Sequence, residues 1–186
     1  MNKSSTYVDR AGRRLAMIAI ALLASPPFAA YAVEFAAPNT VVINPTLTTA
    51  GQPSAAVLAA LSKQGFDAVV FLVPAGVDSN VPGEDEIVKR QGVEFVHIPI
   101  KFSEPWAQHY TAFAAAMQRF AGKRVLVHCE INLRASAMVF LYRTIALKED
   151  PSRAYESVVK VWSPRGPWKP FIQEMLTRHG IKFEMY

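Results

Sequence analysis

Val125-Leu126-Val127-His128-Cys129-Glu130-Ile131-Asn132-Leu133-Arg134-Ala135-Ser136 carries the one cysteine of the chain. Val125 to His128, entered after the Gly122-Lys123 break, is a short run of branched residues with the pattern of a buried strand. Met138, Val139, Leu141, Tyr142 and Ile145 then recur at helical spacing, which predicts a helix from about Ala135. The residues between must turn the chain from strand into helix. Unpaired N–H groups and the positive dipole end of that helix face the turn, so an oxyanion can bind there. The same field favours the ionised sulfur that a cysteine nucleophile needs. Arg134 adds a planar fork able to take two oxygens of a phosphate or sulfate. Asn132 suits a tight anion loop because Asn tolerates positive φ better than most side chains. The competing reading makes Cys129 a buried small hydrophobe at a strand end. An arginine and a helix start in the same loop favour the functional reading.

Working outward, the chain alternates strand and helix. Ala68 to Val73 is continuous and apolar, as in a strand covered on both faces, and Glu94 to Ile98 repeats the pattern before Pro99. Leu47 to Ala50 reads as a first strand, broken by Gly51-Gln52-Pro53. Before it, Val33 to Pro45 is an entry segment with the short apolar run Val41-Val42-Ile43. Ser54 starts a helix with Val57, Leu58 and Leu61 on one face, ended by Gly65. A polar helix is expected over Glu84 to Gln91, and another from near Trp106 to Phe120 with Phe113, Met117 and Phe120 toward a core. Asp150-Pro151 opens a helix from about Ser152 to Val161, and a last helix runs from Trp168 to Arg178. Such alternation implies a mostly parallel sheet covered by helices, with ligands beyond the carboxyl ends of the strands. Cys129 falls at such an end.

His128-Cys129, Arg134 and Ser136 resemble the active-site loop of cysteine-dependent protein tyrosine and dual-specificity phosphatases. Gly51-Gln52-Pro53-Ser54, Gly65-Phe66-Asp67, His97-Ile98-Pro99 and Arg134-Ala135-Ser136 resemble a bacterial phosphatase-like family related to the beta-lactamase hydrolase-like proteins. The likeness runs from about Leu47 to Phe171. It implies a cysteine-phosphatase-like α/β fold with a four- to five-stranded, mostly parallel sheet flanked by helices. It also implies a phosphocysteine mechanism without cofactor or metal, acting on a phosphorylated small molecule or phosphoprotein. Cys129 would attack phosphorus, while Arg134 and the loop residues Glu130, Ile131, Asn132, Leu133, Ala135 and Ser136 hold the oxygens. Ser136 would also assist release of the thiolate, and His128 would orient the loop. Glu104, the one carboxylate between Phe95 and Cys129, is the candidate general acid. The phosphatase pattern has five residues between Cys and Arg, whereas here four intervene. That spacing is known from rhodanese-like sulfurtransferases. Persulfide transfer on the same loop and a non-catalytic phospho-ligand-binding module therefore stand as alternatives.

Other residues have simpler readings. His128 could be a satisfied core histidine, and Glu104 an ordinary helix-entry residue. Glu84, Asp85 and Glu86 read as a solvated helix start, and His109 as part of a solvated helix face. Trp162, Arg165 and Trp168 read as loop packing before a pocket wall. His97, His109, His128 and His179 have no metal-ligand spacing, and no Gly-x-Ser-x-Gly elbow occurs.

The amino terminus has the layout of an export signal: Arg10, Arg13 and Arg14, an apolar run from Leu15 to Ala24, then Ala30-Tyr31-Ala32. A cut after Ala32 is expected, by the general or the twin-arginine route, which makes the mature protein periplasmic or secreted. The run is shorter than the about 20 residues of a membrane span, so no stable membrane insertion is expected after cleavage. Removing 32 of the 186 residues leaves one phosphatase-like α/β domain over residues 33–186, long enough for its own core. The formal charge of +5 falls with the leader, because four of the 20 basic residues and one of the 15 acidic residues lie in it. The near-neutral remainder excludes nucleic acid as a partner class.

Overall fold

In the computed structural model, residues 35–186 and Met1 are described. The expected export signal and its cut lie in the stretch outside the described residues. The first two strands, β1 (Val41–Asn44) and β2 (Leu47–Ala50), form an antiparallel hairpin. Its turn is held locally by Asn44, whose Oδ1 accepts from the Thr46 N–H at 2.9 Å and from the Thr46 hydroxyl at 3.0 Å. Val41 to Ile43 is thus a strand rather than an entry segment, because the Asx turn folds it back onto β2.

The remaining strands, β3 (Ala68–Phe71), β4 (Glu94–His97) and β5 (Val125–His128), are parallel to β2, giving the order β1-β2-β5-β3-β4. The helices are α1 (Ala55–Leu58), α2 (Glu84–Lys89), α3 (Ala107–Arg119), α4 (Leu133–Ile145), α5 (Pro151–Val159) and α6 (Trp168–Arg178). The fold is therefore the expected α/β one. Ser54 caps α1, its side chain accepting from the Val57 N–H at 3.3 Å, and Asp150 caps α5 by accepting from the Arg153 N–H at 3.0 Å. Regular helix stops at Leu58 instead of reaching Gly65. Ala60 and Leu61 donate only three residues back, so the chain tightens into turns.

The pleat of β5 divides its side chains between two cores. Val125, Val127 and Cys129 join the larger core, which includes Phe113, Met138, Tyr155 and Trp168 from the last four helices. Leu126 joins the smaller core with Leu58, Leu61 and Val88, and alternation turns His128 the same way. Helix α4 is buried from Arg134 to Ile145, as expected of a helix enclosed on all sides. Strand β4 is an edge strand and only partly buried, unlike the fully covered strand expected from its apolar run. Among the described residues, no helix is long and apolar enough to cross a membrane.

Candidate active site

Strand β5 ends against its neighbours and delivers Cys129 with little freedom. The Cys129 N–H donates to the Ala50 carbonyl at 3.2 Å, and the His128 carbonyl accepts from the Leu72 N–H at 3.1 Å. The next turn is clamped from outside the sheet. Gln52 N–H donates to the Glu130 carbonyl at 2.9 Å, and Gly51 forms an isolated antiparallel bridge with Ile131. At Gly51 a Cβ would stand 2.8 Å from the Glu130 carbonyl oxygen and 2.9 Å from the Pro38 Cβ, so only glycine permits this approach. Asn132 has φ +71°, the left-handed conformation expected for it, and stands at the N-cap of α4. Its Nδ2 donates to the Asn39 carbonyl at 2.6 Å and to the Thr49 hydroxyl at 3.1 Å, while Asn39 Nδ2 donates to the Ile131 carbonyl at 3.0 Å. This seated turn lets α4 begin at Leu133, two residues earlier than its periodicity predicts.

Arg134 is buried in the first turn of α4. Its Nε donates to the Ile100 carbonyl at 3.0 Å, and the guanidinium lies over the Phe102 ring, 5.3 Å from its centroid. Glu130 forms a loose ion pair with Nη1 at 3.9 Å, and among the described residues the two terminal nitrogens make no hydrogen bond. Fixed by its inner edge, the side chain keeps its donor fork free for a ligand. Cys129 is fully buried at the root of the loop. Ser136 follows, buried, its hydroxyl donating to the Leu133 carbonyl at 3.1 Å and accepting from Trp162 Nε1 at 3.2 Å. Ile131 is the exposed hydrophobic side chain of the loop, Glu130 and Leu133 are partly exposed, and Ala135 is buried.

Trp162 and Trp168 are more than loop packing. Phe102 contacts both rings, with centroids 6.0 and 5.8 Å apart, and Trp168 Nε1 donates to the Phe102 carbonyl at 3.0 Å. The aromatic group thus supports the residue under the Arg134 guanidinium and the hydroxyl of Ser136. Arg165 is exposed in the loop between α5 and α6. Glu104 stands apart: it is exposed, lies 3.7 Å from Lys101, and lines a groove with Trp106, Pro167 and Phe171 that contains none of the loop residues. His109 is partly buried and accepts the Trp106 N–H at 3.0 Å, so it caps α3 instead of lying free on a solvated face. Burial also pushes its imidazole below the ordinary histidine range.

The largest departure from expectation is beneath the loop. Glu84 belongs to no solvated helix start. It is 5% exposed, and its Oε1 lies 2.7 Å from Nε2 of the fully buried His128. Its Oε2 accepts from Gln52 Nε2 at 2.7 Å. His128 ring stacks on Phe71 at 4.8 Å, and Phe71 stacks on His97 at 5.0 Å. This row follows from register, since Phe71 pairs with His128 on one side and with His97 on the other. Among the described residues, no group of three His, Cys, Asp or Glu is placed to hold a metal ion.

Comparison with known proteins bears on the family and the fold. A "Beta-lactamase hydrolase-like protein" of Agrobacterium fabrum is 32% identical over 106 residues, 55% of this chain. The chain matches only 24% of the length of the curated relatives, including that one and its Xylella fastidiosa counterparts. A crystal structure of a DUF442 protein from Shewanella putrefaciens CN-32 superposes with a TM-score of 0.71 at 28% identity, covering 77% of this chain and 94% of that one. The active form of Tk-PTP shares the fold, with a TM-score of 0.61 at 23% identity over 76% of this chain and 96% of its own. The family described as "DSP-PTPase phosphatase fused to NAD+ Kinase" matches residues 39–164, well over half of the chain, and this protein belongs to that dual-specificity-type phosphatase family.

Proposed function

We propose that the protein is an exported, cysteine-dependent phosphatase of the tyrosine or dual-specificity type, hydrolysing a phosphomonoester of a small molecule or phosphoprotein. The observation that carries this reading is Arg134, buried and anchored through Nε on Ile100 while its terminal nitrogens have no hydrogen bond among the described residues. A guanidinium whose stem is buried and whose terminal donors reach solvent at the start of α4 is suited to an oxyanion. Cys129, five positions upstream, supplies the nucleophile. Its sulfur attacks phosphorus, the ester P–O bond breaks, and the leaving oxygen takes a proton. Water then attacks the phosphocysteine, the P–S bond breaks, and phosphate and the thiolate separate, a departure that the Ser136 hydroxyl is proposed to assist. Glu104 is proposed as the proton donor, which requires its loop to bring the exposed carboxylate over the bound ester.

The test is turnover of an aryl phosphate by the reduced full chain. Cys129→Ser should abolish turnover. Arg134→Lys, which keeps the charge but not the fork, should lower kcat/KM by about two orders of magnitude. Glu104→Gln should lower kcat and remove the basic limb of the pH profile, with KM little changed. Turnover that persists in Cys129→Ser sinks the mechanism.

A further inference from the structure

A buried carboxylate paired with a histidine stabilises a fold no better than apolar residues of the same volume, and often less well. Glu84 and His128 are nonetheless 5% and 0% exposed, at the point where two connections converge on the nucleophile. One runs from Glu84 Oε1 to the His128 ring, and so to the residue before Cys129. The other runs from Glu84 Oε2 to Gln52 Nε2, and Gln52 in turn donates its backbone N–H to the Glu130 carbonyl, just after Cys129. A single carboxylate thereby grips both sides of the catalytic cysteine.

Stacking and the carboxylate restrain the His128 ring in different ways. Phe71 fixes the plane of the His128 ring, with 23° between the two rings, but stacking leaves rotation within that plane free. The 2.7 Å approach of Glu84 supplies the in-plane restraint. The two atoms approach closely, although neither His128 Nε2 nor Glu84 Oε1 completes an aligned hydrogen bond. Glu84 can hold both positions because it is itself held by Gln52 and by its place in the first turn of α2.

From this juxtaposition we infer that Glu84 is a positioning residue of the phosphatase reaction, acting through His128 and Gln52 to set the attack direction of Cys129. The inference rests on the phosphatase reading above. It predicts a loss in the chemical step without a loss of oxyanion affinity, because Arg134 is anchored separately on Ile100, and the turn at Ile131 and Asn132 on Asn39 and Thr49.

The experiment uses the reduced full chain as wild type, Glu84→Gln, Gln52→Ala and the exposed neighbour Asp85→Asn. Three quantities are read: kcat and KM on an aryl phosphate, the inhibition constant of vanadate, and the rate of Cys129 alkylation by iodoacetate. Glu84→Gln should reduce kcat and the alkylation rate at least tenfold, with the vanadate constant within about twofold of wild type. Gln52→Ala should follow in the same direction by a smaller factor, and Asp85→Asn should match wild type. Equal losses in kcat and vanadate affinity, or unchanged kcat and alkylation in a folded Glu84→Gln, would overturn the inference. If the wild type hydrolyses nothing, the phosphatase reading fails, while the alkylation rates still decide whether Glu84 positions the cysteine. Should Glu84→Gln not fold, Gln52→Ala carries the same comparison.

Discussion

Helix α4 carries a buried arginine at each end, and the two are used in opposite ways. Near its C-terminus, Arg143 makes four hydrogen bonds with its five N–H donors. Nε and Nη2 form a two-pronged pair with Glu149 at 2.8 and 2.6 Å, and Nη1 donates to the Ser157 hydroxyl at 2.9 Å and the Ala154 carbonyl at 3.2 Å. That guanidinium joins α4 to α5 and commits nearly all its donors to the protein. Arg134, at the other end, has one hydrogen bond, to the Ile100 carbonyl. Both side chains are about equally covered, 8% and 10% exposed, so burial does not separate them. Partners do: Arg143 spends its donors on α5 and Glu149, whereas the outer donors of Arg134 are left toward solvent, which is the arrangement the proposed phosphatase reading needs.

The contrast can be broken by swapping the tests. Arg134→Lys should cost about a hundredfold in kcat/KM with little change in thermal midpoint, whereas Arg143→Lys should keep turnover within about threefold while lowering the midpoint. An arginine that failed this division would remove the distinction between used and unused donors.

Arg143→Ala should reduce unfolding free energy by about 2 kcal/mol in urea titration. That is below the roughly 3–5 kcal/mol of a fully enclosed pair because Glu149 is 32% exposed and can rehydrate. Trp162→Phe sharpens the site end of the comparison. It keeps the ring but removes the donation to Ser136, for which a fall of about fivefold in kcat is expected from a single neutral hydrogen bond of about 1 kcal/mol.

The smallest effect belongs to a third cation–carboxylate contact, at the rim. Glu94 on the edge strand meets Lys123 and Arg119, and those partners hold its carboxyl below the usual range. A depressed carboxylate contributes stability at pH above its unfolded value, and the contribution disappears as pH falls through the folded value. Glu94→Gln should therefore flatten the acid side of the stability profile slightly, and salt should shrink the difference from wild type.

Legibility along the chain follows locality. The caps Ser54 and Asp150, the positive φ of Asn132 and the strand-loop-helix around Cys129 could be read from the residues alone. Each is decided within a few positions by backbone sterics and hydrogen bonds to near neighbours. Within the entry segment expected over Val33 to Pro45, the strand Val41–Asn44 is not legible locally because its strand character depends on pairing with β2 across the turn. Glu84 misled for a related reason. A carboxylate in a helix first turn is ordinary surface chemistry, and nothing nearby in the sequence announces a buried histidine 44 positions later.

The amino-acid order by itself determined the alternation of strand and helix and the common loop of Cys129, Arg134 and Ser136, since periodicity and turn chemistry act over short distances. Only the tertiary structure decided what those side chains touch. Sheet register lined up His128, Phe71 and His97. Packing brought Ile100 to Arg134 across 34 positions, Trp162 to Ser136 across 26 and Glu84 to Gln52 across 32. Contacts of that span require the intervening chain to close on itself, which the burial of the whole core drives and no local preference encodes.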